Sequence, residues 1–263
     1  MQSKSIALDK HLVIYKDLGQ IDYQSAWDYQ EKLLQENVQI KSILMNRKKA
    51  MAENAAAVQG LGALATEFVN ENLDTQHYFL MCEHPPVYTL GKSGSMDNVL
   101  INDEQLAAKG IEFYKTNRGG DITFHGLGQI VGYPIMDLEK YYTDIGRYLR
   151  ELEEVIILTL AEYGIKGERS KGETGVWIDT DKPGRERKIC AMGVRCSRWI
   201  TMHGFALNVN TDLQYFNHII PCGIQNKQVT SIEKELQQPI LMQDVKDKIT
   251  KNFAKVFNAI YQQ

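Results

Sequence analysis

Apolar and polar positions alternate in short runs along much of the chain, and this predicts a protein rich in strands. His11 to Leu18 alternates in β-like steps, and Tyr78 to Cys82, Val87 to Leu90, Ile111 to Lys115 and Ile130 to Met136 are compact apolar runs of strand length. Gly175 to Asp179, Lys188 to Arg195 and Thr201 to Val209 add three more, the first two joined by the charged turn Asp181 to Arg187. A different period governs Ile145 to Tyr163. There Ile145, Tyr148, Leu149, Leu152, Val155 and Ile156 recur every three or four residues, which predicts an amphipathic helix stopped by Gly164. Asp22 to Val38 has helical character, with Trp27, Leu33, Leu34 and Val38 as its apolar positions. Lys41 to Leu73 is alanine-rich helix material, weakened in the middle by Gly60 and Gly62. Thr230-x-x-Glu233 has the form of a capping box opening a short helix. The final stretch puts Val245, Ile249, Phe253, Val256, Phe257 and Ile260 on one side of a helix. The expected fold class is α/β (α+β): a mixed, largely antiparallel sheet flanked by helices. It forms one domain over residues 1–263, with a helical region at about 41–73 and helices at about 228–263.

Composition narrows the function. With 263 residues, 43% hydrophobic and 24% charged, the chain can bury a sizeable core. A net charge of -3 provides no basic footprint for nucleic acid. No membrane partner is expected either, since the longest apolar stretch, Val155 to Ala161, is far short of the roughly 20 residues a spanning helix needs. The N-terminal residues lack the apolar core of a secretion signal. Four cysteines are too sparse for a disulfide scaffold, so the expected compartment is the reducing cytoplasm.

The densest chemical feature is the loop Arg118 to Gln129, where four glycines in the eleven residues Arg118 to Gly128 let a ligand approach the backbone closely. Arg118 supplies a fixed charge, and His125 a proton donor or acceptor near neutral pH. The loop lacks the spacing of a phosphate loop or a dinucleotide site, and a plain glycine-rich connection explains it equally well. Cys222, between Pro221 and Gly223, suits rigid presentation of a thiol. Such a thiol is a strong nucleophile once ionised, although a free cysteine is more usually a small buried hydrophobe. Cys82 fits the buried reading. Cys190 and Cys196 share a strand with Lys188 at even offsets from it, and are read as packed. No CxxC pair is present, so no metal is expected. Lys188 could project from its strand into a cleft and favour a neighbouring thiolate. From the residues alone, an exposed lysine beside Arg185 and Arg187 is the stronger reading. His203 is ambiguous in the same way, with packing favoured over chemistry.

Four blocks in order resemble the lipoyl(octanoyl) transferase family. They are Glu83 to Lys92 (EHPPVYTLGK), Arg118 to Gln129, Lys188 to Val194 continuing into Thr201 to Asp212, and Phe216-Asn217-x-x-x-Pro221-Cys222-Gly223. The resemblance implies the fold of the biotin and lipoate protein ligase catalytic domain. It implies a cofactor-free acyltransferase that moves octanoyl from acyl carrier protein to a lysine of lipoyl domains, the first step of endogenous protein lipoylation. Those domains belong to 2-oxoacid dehydrogenase subunits and the glycine cleavage H protein. It assigns Cys222 as the residue that carries the acyl group as a thioester, and Lys188 as the neighbour that lowers its pKa. Substrate contacts are implied for Arg118, Gly119, Gly120, Asp121, Ile122, Thr123, Phe124 and His125, for Ala191, Met192 and Gly193, and for Gly204, Phe205 and Ala206. An octanoyl chain further requires an apolar tunnel, with Phe205, Met192 and Tyr88 as candidate walls. Leu127 stands where the family has proline, and the 41–73 region is longer than the family's usual counterpart. Two alternatives remain: an ATP-dependent lipoate or biotin ligase on the same fold, and a non-catalytic module that binds an acyl carrier.

Overall fold

The computed structural model describes residues 10–58, 73–220 and 228–262. The chain opens with strand β1 (His11–Gln20) and enters helix α1 (Tyr23–Val58). Asp22 starts that helix by accepting a bond from the Ser25 amide at 2.8 Å. The two helical segments expected on either side of residue 40 are thus one continuous helix, and residues 59–72 lie outside the described residues.

Next come β2 (His77–Glu83), β3 (Val87–Leu90), the short helix α2 (Asp103–Ala108) and β4 (Glu112–Lys115). β5 (Ile122–His125) lies inside the stretch expected to be a loop, and β6 (Gln129–Ile135) follows it directly. Helix α3 (Ile145–Ala161) matches its periodic signal. Asp144 caps it by accepting from the Arg147 amide, and Gly164 leaves it with φ +73°. After it come β7 (Val176–Ile178), β8 (Arg187–Ser197), β9 (Ile200–Asn208) and the two-residue β10 (Gln228–Val229). The C-terminal part is α4 (Ile232–Leu236), α5 (Met242–Val256) and β11 (Ala259–Gln262).

Two details depart from expectation. The helix cap near residue 230 is Ser231, which accepts from the Lys234 amide, while the Thr230 hydroxyl donates to Glu235 instead. The last helix also ends before Ile260. Asn258, at φ +47°, turns the chain into β11, which pairs parallel to β1. Residues 228–262 therefore hold two strands as well as helices.

The main sheet runs β10-β8-β9-β6-β2-β1-β11, with β7 on the outer edge of β8. Pairing is antiparallel through the middle, from β8 to β2, and parallel at the β1/β2, β1/β11 and β8/β10 contacts. Strand periodicity sorts its side chains. Phe79, Met81, Ile130 and Leu207 face α3 and α5, packing on Leu152, Val155, Ile156, Ile249 and Phe253. Their neighbours Leu80, Cys82, Val131 and Ala206 face the other way, against Ala26, Leu33 and Leu34 of α1. A second sheet, β4-β3-β5, packs its own small core against a 3-10 turn at Leu213–His218. Among the described residues no helix is long and apolar enough to cross a membrane.

Candidate active site

A cavity of about 350 Å³ opens where the small sheet meets the β8–β9 end of the large one. Three sequence segments converge on it. From the glycine-rich stretch come Arg118, Gly120, Asp121, Ile122, Thr123 and His125; from β8 come Lys188, Ala191, Met192 and Gly193; from β9 come Gly204, Phe205 and Ala206. Most of the expected contact residues are therefore brought together. Gly119 and Phe124 are not on the lining. The Gly119 amide bonds the Val194 carbonyl at 2.9 Å. The Phe124 ring turns into the small core, stacked 4.5 Å from Tyr215. Tyr88 is also no wall: it is fully buried in that core and donates its hydroxyl to the Tyr215 carbonyl at 2.6 Å. Cys222 lies outside the described residues. Phe216 and Val229, which precede and follow residues 221–227 along the chain without adjoining them, both line the cavity.

Lys188 is 7% exposed, so it is not the surface lysine that its arginine neighbours suggest. Its amine sits 4.5 Å from the centroid of the Trp177 ring, a cation–π contact that holds it in place. The backbone explains its direction. β7 pairs Val176 with Cys190 but Trp177 with Lys188, which leaves Ile189 without a residue opposite, a β-bulge. Ile189 and Cys190 consequently both enter the core under α3 and α5, while Lys188 and Ala191 both reach the cavity. An uninterrupted strand would have sent Lys188 to the same side as Cys190. The bulge turns it to the other side, and β10 fixes its position through the Val229–Lys188 pairing. Burial pushes the Cys190 thiol up, and the same cause raises that of Cys82, so both behave as hydrophobes.

The glycines make room. Gly193 and Gly204 face each other across β8 and β9. A Cβ on Gly193 would come 2.6 Å from the Gly119 carbonyl oxygen, and one on Gly204 would collide with the Gly132 carbonyl. Only bare backbone lets the Arg118 segment lie this close to the sheet.

A continuous chain of hydrogen bonds underlies the cavity. The Arg118 guanidinium donates to the Thr89 carbonyl at 2.6 Å and the Thr89 hydroxyl at 2.9 Å. That hydroxyl donates to His125 Nε2 at 3.3 Å, and His125 Nδ1 donates to Gln129 Oε1 at 2.8 Å. Gln129 Nε2 donates to Asn208 Oδ1 at 2.9 Å, Asn208 Nδ2 to the Thr230 carbonyl, and the Thr230 amide to the Lys188 carbonyl at 2.9 Å. Arg118 is thereby linked to the backbone of Lys188. Both nitrogens of His125 are committed, and burial drives its pKa well below the usual histidine value, so it serves as a fixed strut and not as a proton carrier. Behind it the Tyr133 hydroxyl donates to His84 Nε2 at 2.7 Å, and desolvation lowers His84 to about 4.

Several lining residues have no signal of their own in the sequence. Tyr23, at the start of α1, stacks near His125. Tyr133 and Asn208 fall within expected strands as ordinary positions, and Glu173, Thr174 and Val229 lie outside every motif. Gln129 is the last residue of the glycine-rich motif, which is the one cue that could have added it to the expected contacts. His203, for which packing is the favoured reading of the sequence, lines the cavity at φ +58°.

Comparison with known proteins places this site in context. Residues 62–254 match the model of the lipoyl protein ligase A/B catalytic domain. A protein of Christiangramia forsetii named octanoyltransferase is 54% identical over 93% of this chain and 95% of its own length. One of Flavobacterium johnsoniae with the same name is 55% identical over 93% of this chain and 96% of its own length. Among solved structures, a bipartite lipoate protein ligase of Thermoplasma acidophilum aligns over 97% of this chain and 86% of its own, with TM-score 0.62 and 13% identity. A lipoate-protein ligase A bound with ATP aligns over 97% and 88%, with TM-score 0.61 and 11% identity. These structural likenesses carry the fold alone.

Proposed function

From the premise that the chain belongs to the lipoyl protein ligase A/B catalytic-domain family, we propose that it is an octanoyltransferase working through a Cys222 thioester. The donor is octanoyl-acyl carrier protein. The acceptor is a lysine of the lipoyl domains of 2-oxoacid dehydrogenase subunits or of the glycine cleavage H protein. All of residues 1–263 act as one catalytic domain, and the enzyme works in the cytoplasm. The observation that carries the reading is a buried amine, Lys188, at a cavity whose other walls include Val131, Met192, Phe205, Ala206, Phe216 and Val229. That combination suits an acyl chain beside a group able to move protons.

In the first half-reaction the Cys222 thiolate attacks the octanoyl carbonyl. The new carbon–sulfur bond forms, the bond to the carrier's sulfur breaks, and the ammonium of Lys188 gives its proton to the departing thiolate. In the second half-reaction the acceptor lysine attacks the thioester as a neutral amine. Free lysine has a pKa near 10.4, so a base must receive the proton. Lys188, left neutral by the first step, takes that proton as the amide forms and the Cys222 thiolate departs. Acid and base are thus one group, and the enzyme returns to its starting state. Backbone amides near the glycine-rich loop or near Cys222 hold the oxyanion of each tetrahedral intermediate.

Intact-mass analysis after exposure to octanoyl-acyl carrier protein tests this. Wild type gains one octanoyl group, Cys222→Ala gains none, and Lys188→Ala gains it at least about 100-fold more slowly. An adduct that persists in Cys222→Ala overturns the assignment. A strict requirement for ATP would turn the reading toward a ligase.

A further inference from the structure

We infer that His203 is the hydrogen-bond acceptor that seats the incoming lysine amine against the acyl group. The inference rests on the octanoyl-transfer reading and names a binding residue for its second half-reaction.

The geometry of His203 sets it apart from every other strand position around the cavity. It is 2% exposed and lies within β9, yet its φ is +58°, a region that a side chain other than glycine enters at a steric cost. Its backbone amide is held by the Oε1 of Gln30, a fully buried residue of α1, at 2.9 Å. His203 and the adjacent Gly204 both lie on the cavity lining. The ring is fixed in turn. Nε2 donates to Asn117 Oδ1 at 2.9 Å, one residue before Arg118. Nδ1, the acceptor nitrogen of this tautomer, has no partner among the described residues, and its lone pair is unused on a ring that lines the cavity. His125 differs, because both of its ring nitrogens are bonded.

What such a lone pair can bind is limited by the reaction. The octanoyl carbonyl and the thioester sulfur have no hydrogen to donate, and the hydrocarbon chain has no polar group. Of the substrate groups at the bond being made, only the acceptor amine brings N–H. Desolvation and the nearby Arg118 and Arg195 charges hold the ring's pKa down at about 3, so it remains an acceptor at neutral pH and does not take the amine's proton. The same positive charges disfavour a second cation beside them. An amine in this seat is therefore held neutral, with one N–H on Nδ1 and its own lone pair free to attack.

The test separates the two half-reactions, with octanoyl-acyl carrier protein as donor and a purified lipoyl domain as acceptor. Two variants are used: His203→Ala, and His203→Asn, since asparagine tolerates the left-handed backbone. Both are expected to acquire the octanoyl adduct at close to the wild-type rate. They then pass it to the lipoyl domain about 10- to 100-fold more slowly, through a higher KM for the domain, because a hydrogen bond of this kind is lost. Hydroxylamine, a small nucleophile that needs no seat, discharges the adduct as fast from both variants as from wild type. A parallel loss of adduct formation, or of hydroxylamine discharge, would mean that His203 only supports the fold and overturns the inference. Unchanged transfer to the lipoyl domain overturns it as well. If wild type takes up no octanoyl group, the functional reading itself fails and the inference falls with it.

Discussion

The two faces of the β8–β9 hairpin obey different rules. Toward α3 and α5, Cys190 and Leu207 pack on periodic apolar side chains, joined by Met192 and Phe205, which also reach the cavity, and nearly every position follows ordinary strand alternation. Toward the cavity the same strands carry Ala191, Ala206 and the facing pair Gly193 and Gly204. Two irregularities also turn toward the cavity: the bulge at Ile189 and the left-handed backbone of His203. One face is shaped by side chains that fill space. The other is shaped by backbone that clears space and redirects single residues. The contrast shows how one pair of strands can supply both a stable platform and a reactive pocket.

Substitutions that touch one face alone would sharpen this division. The largest effect is expected from Gly204→Val, whose side chain collides with the Gly132 carbonyl and pushes the cavity face out of register. Octanoyl transfer should fall at least about 100-fold, since misplacement by about 1 Å has that scale of effect. Activity measured beside thermal melting checks it, and retained activity would break the distinction. On the opposite side, Leu152→Ala removes a fully buried side chain of α3. It should cost about 2–5 kcal/mol in denaturant unfolding, while the folded fraction keeps its turnover. The smallest effect belongs to Ser231→Ala, which deletes the cap of α4 next to Thr230, the residue that bonds Lys188. A loss of about 1 kcal/mol with unchanged turnover is expected. A drop in turnover would show that the floor of the cavity is held from the core side.

The same division decides what could be read from the sequence. α3 is legible because Tyr148, Leu152, Val155 and Ile156 repeat at helical spacing and are all fully buried. β2, β6 and β9 are legible as apolar runs. β5 is hidden because glycines on both sides give Ile122–His125 the look of a loop. β11 is hidden because Phe257 and Ile260 continue the period of α5, and nothing local announces that Asn258 breaks it. At the site, the glycine-rich motif and the two strand motifs pointed to most of the lining. Tyr23, Tyr133 and Asn208 could not be found, because only the fold brings them to the cavity. The direction of Lys188 was equally out of reach: a bulge is a relation between two strands, and the residues of one strand do not encode it.

The parallel pairing of β1 with β11 has a consequence for synthesis on the ribosome. His11 to Ile14 leave the tunnel early, but their partners Ala259 to Gln262 are made some 250 residues later. Until then that side of β1 presents open amides and carbonyls, a template for unwanted association with another nascent chain. So long a separation between partners also slows the closing step. Newly made molecules should therefore gain from a chaperone that shields this strand until translation reaches residue 262.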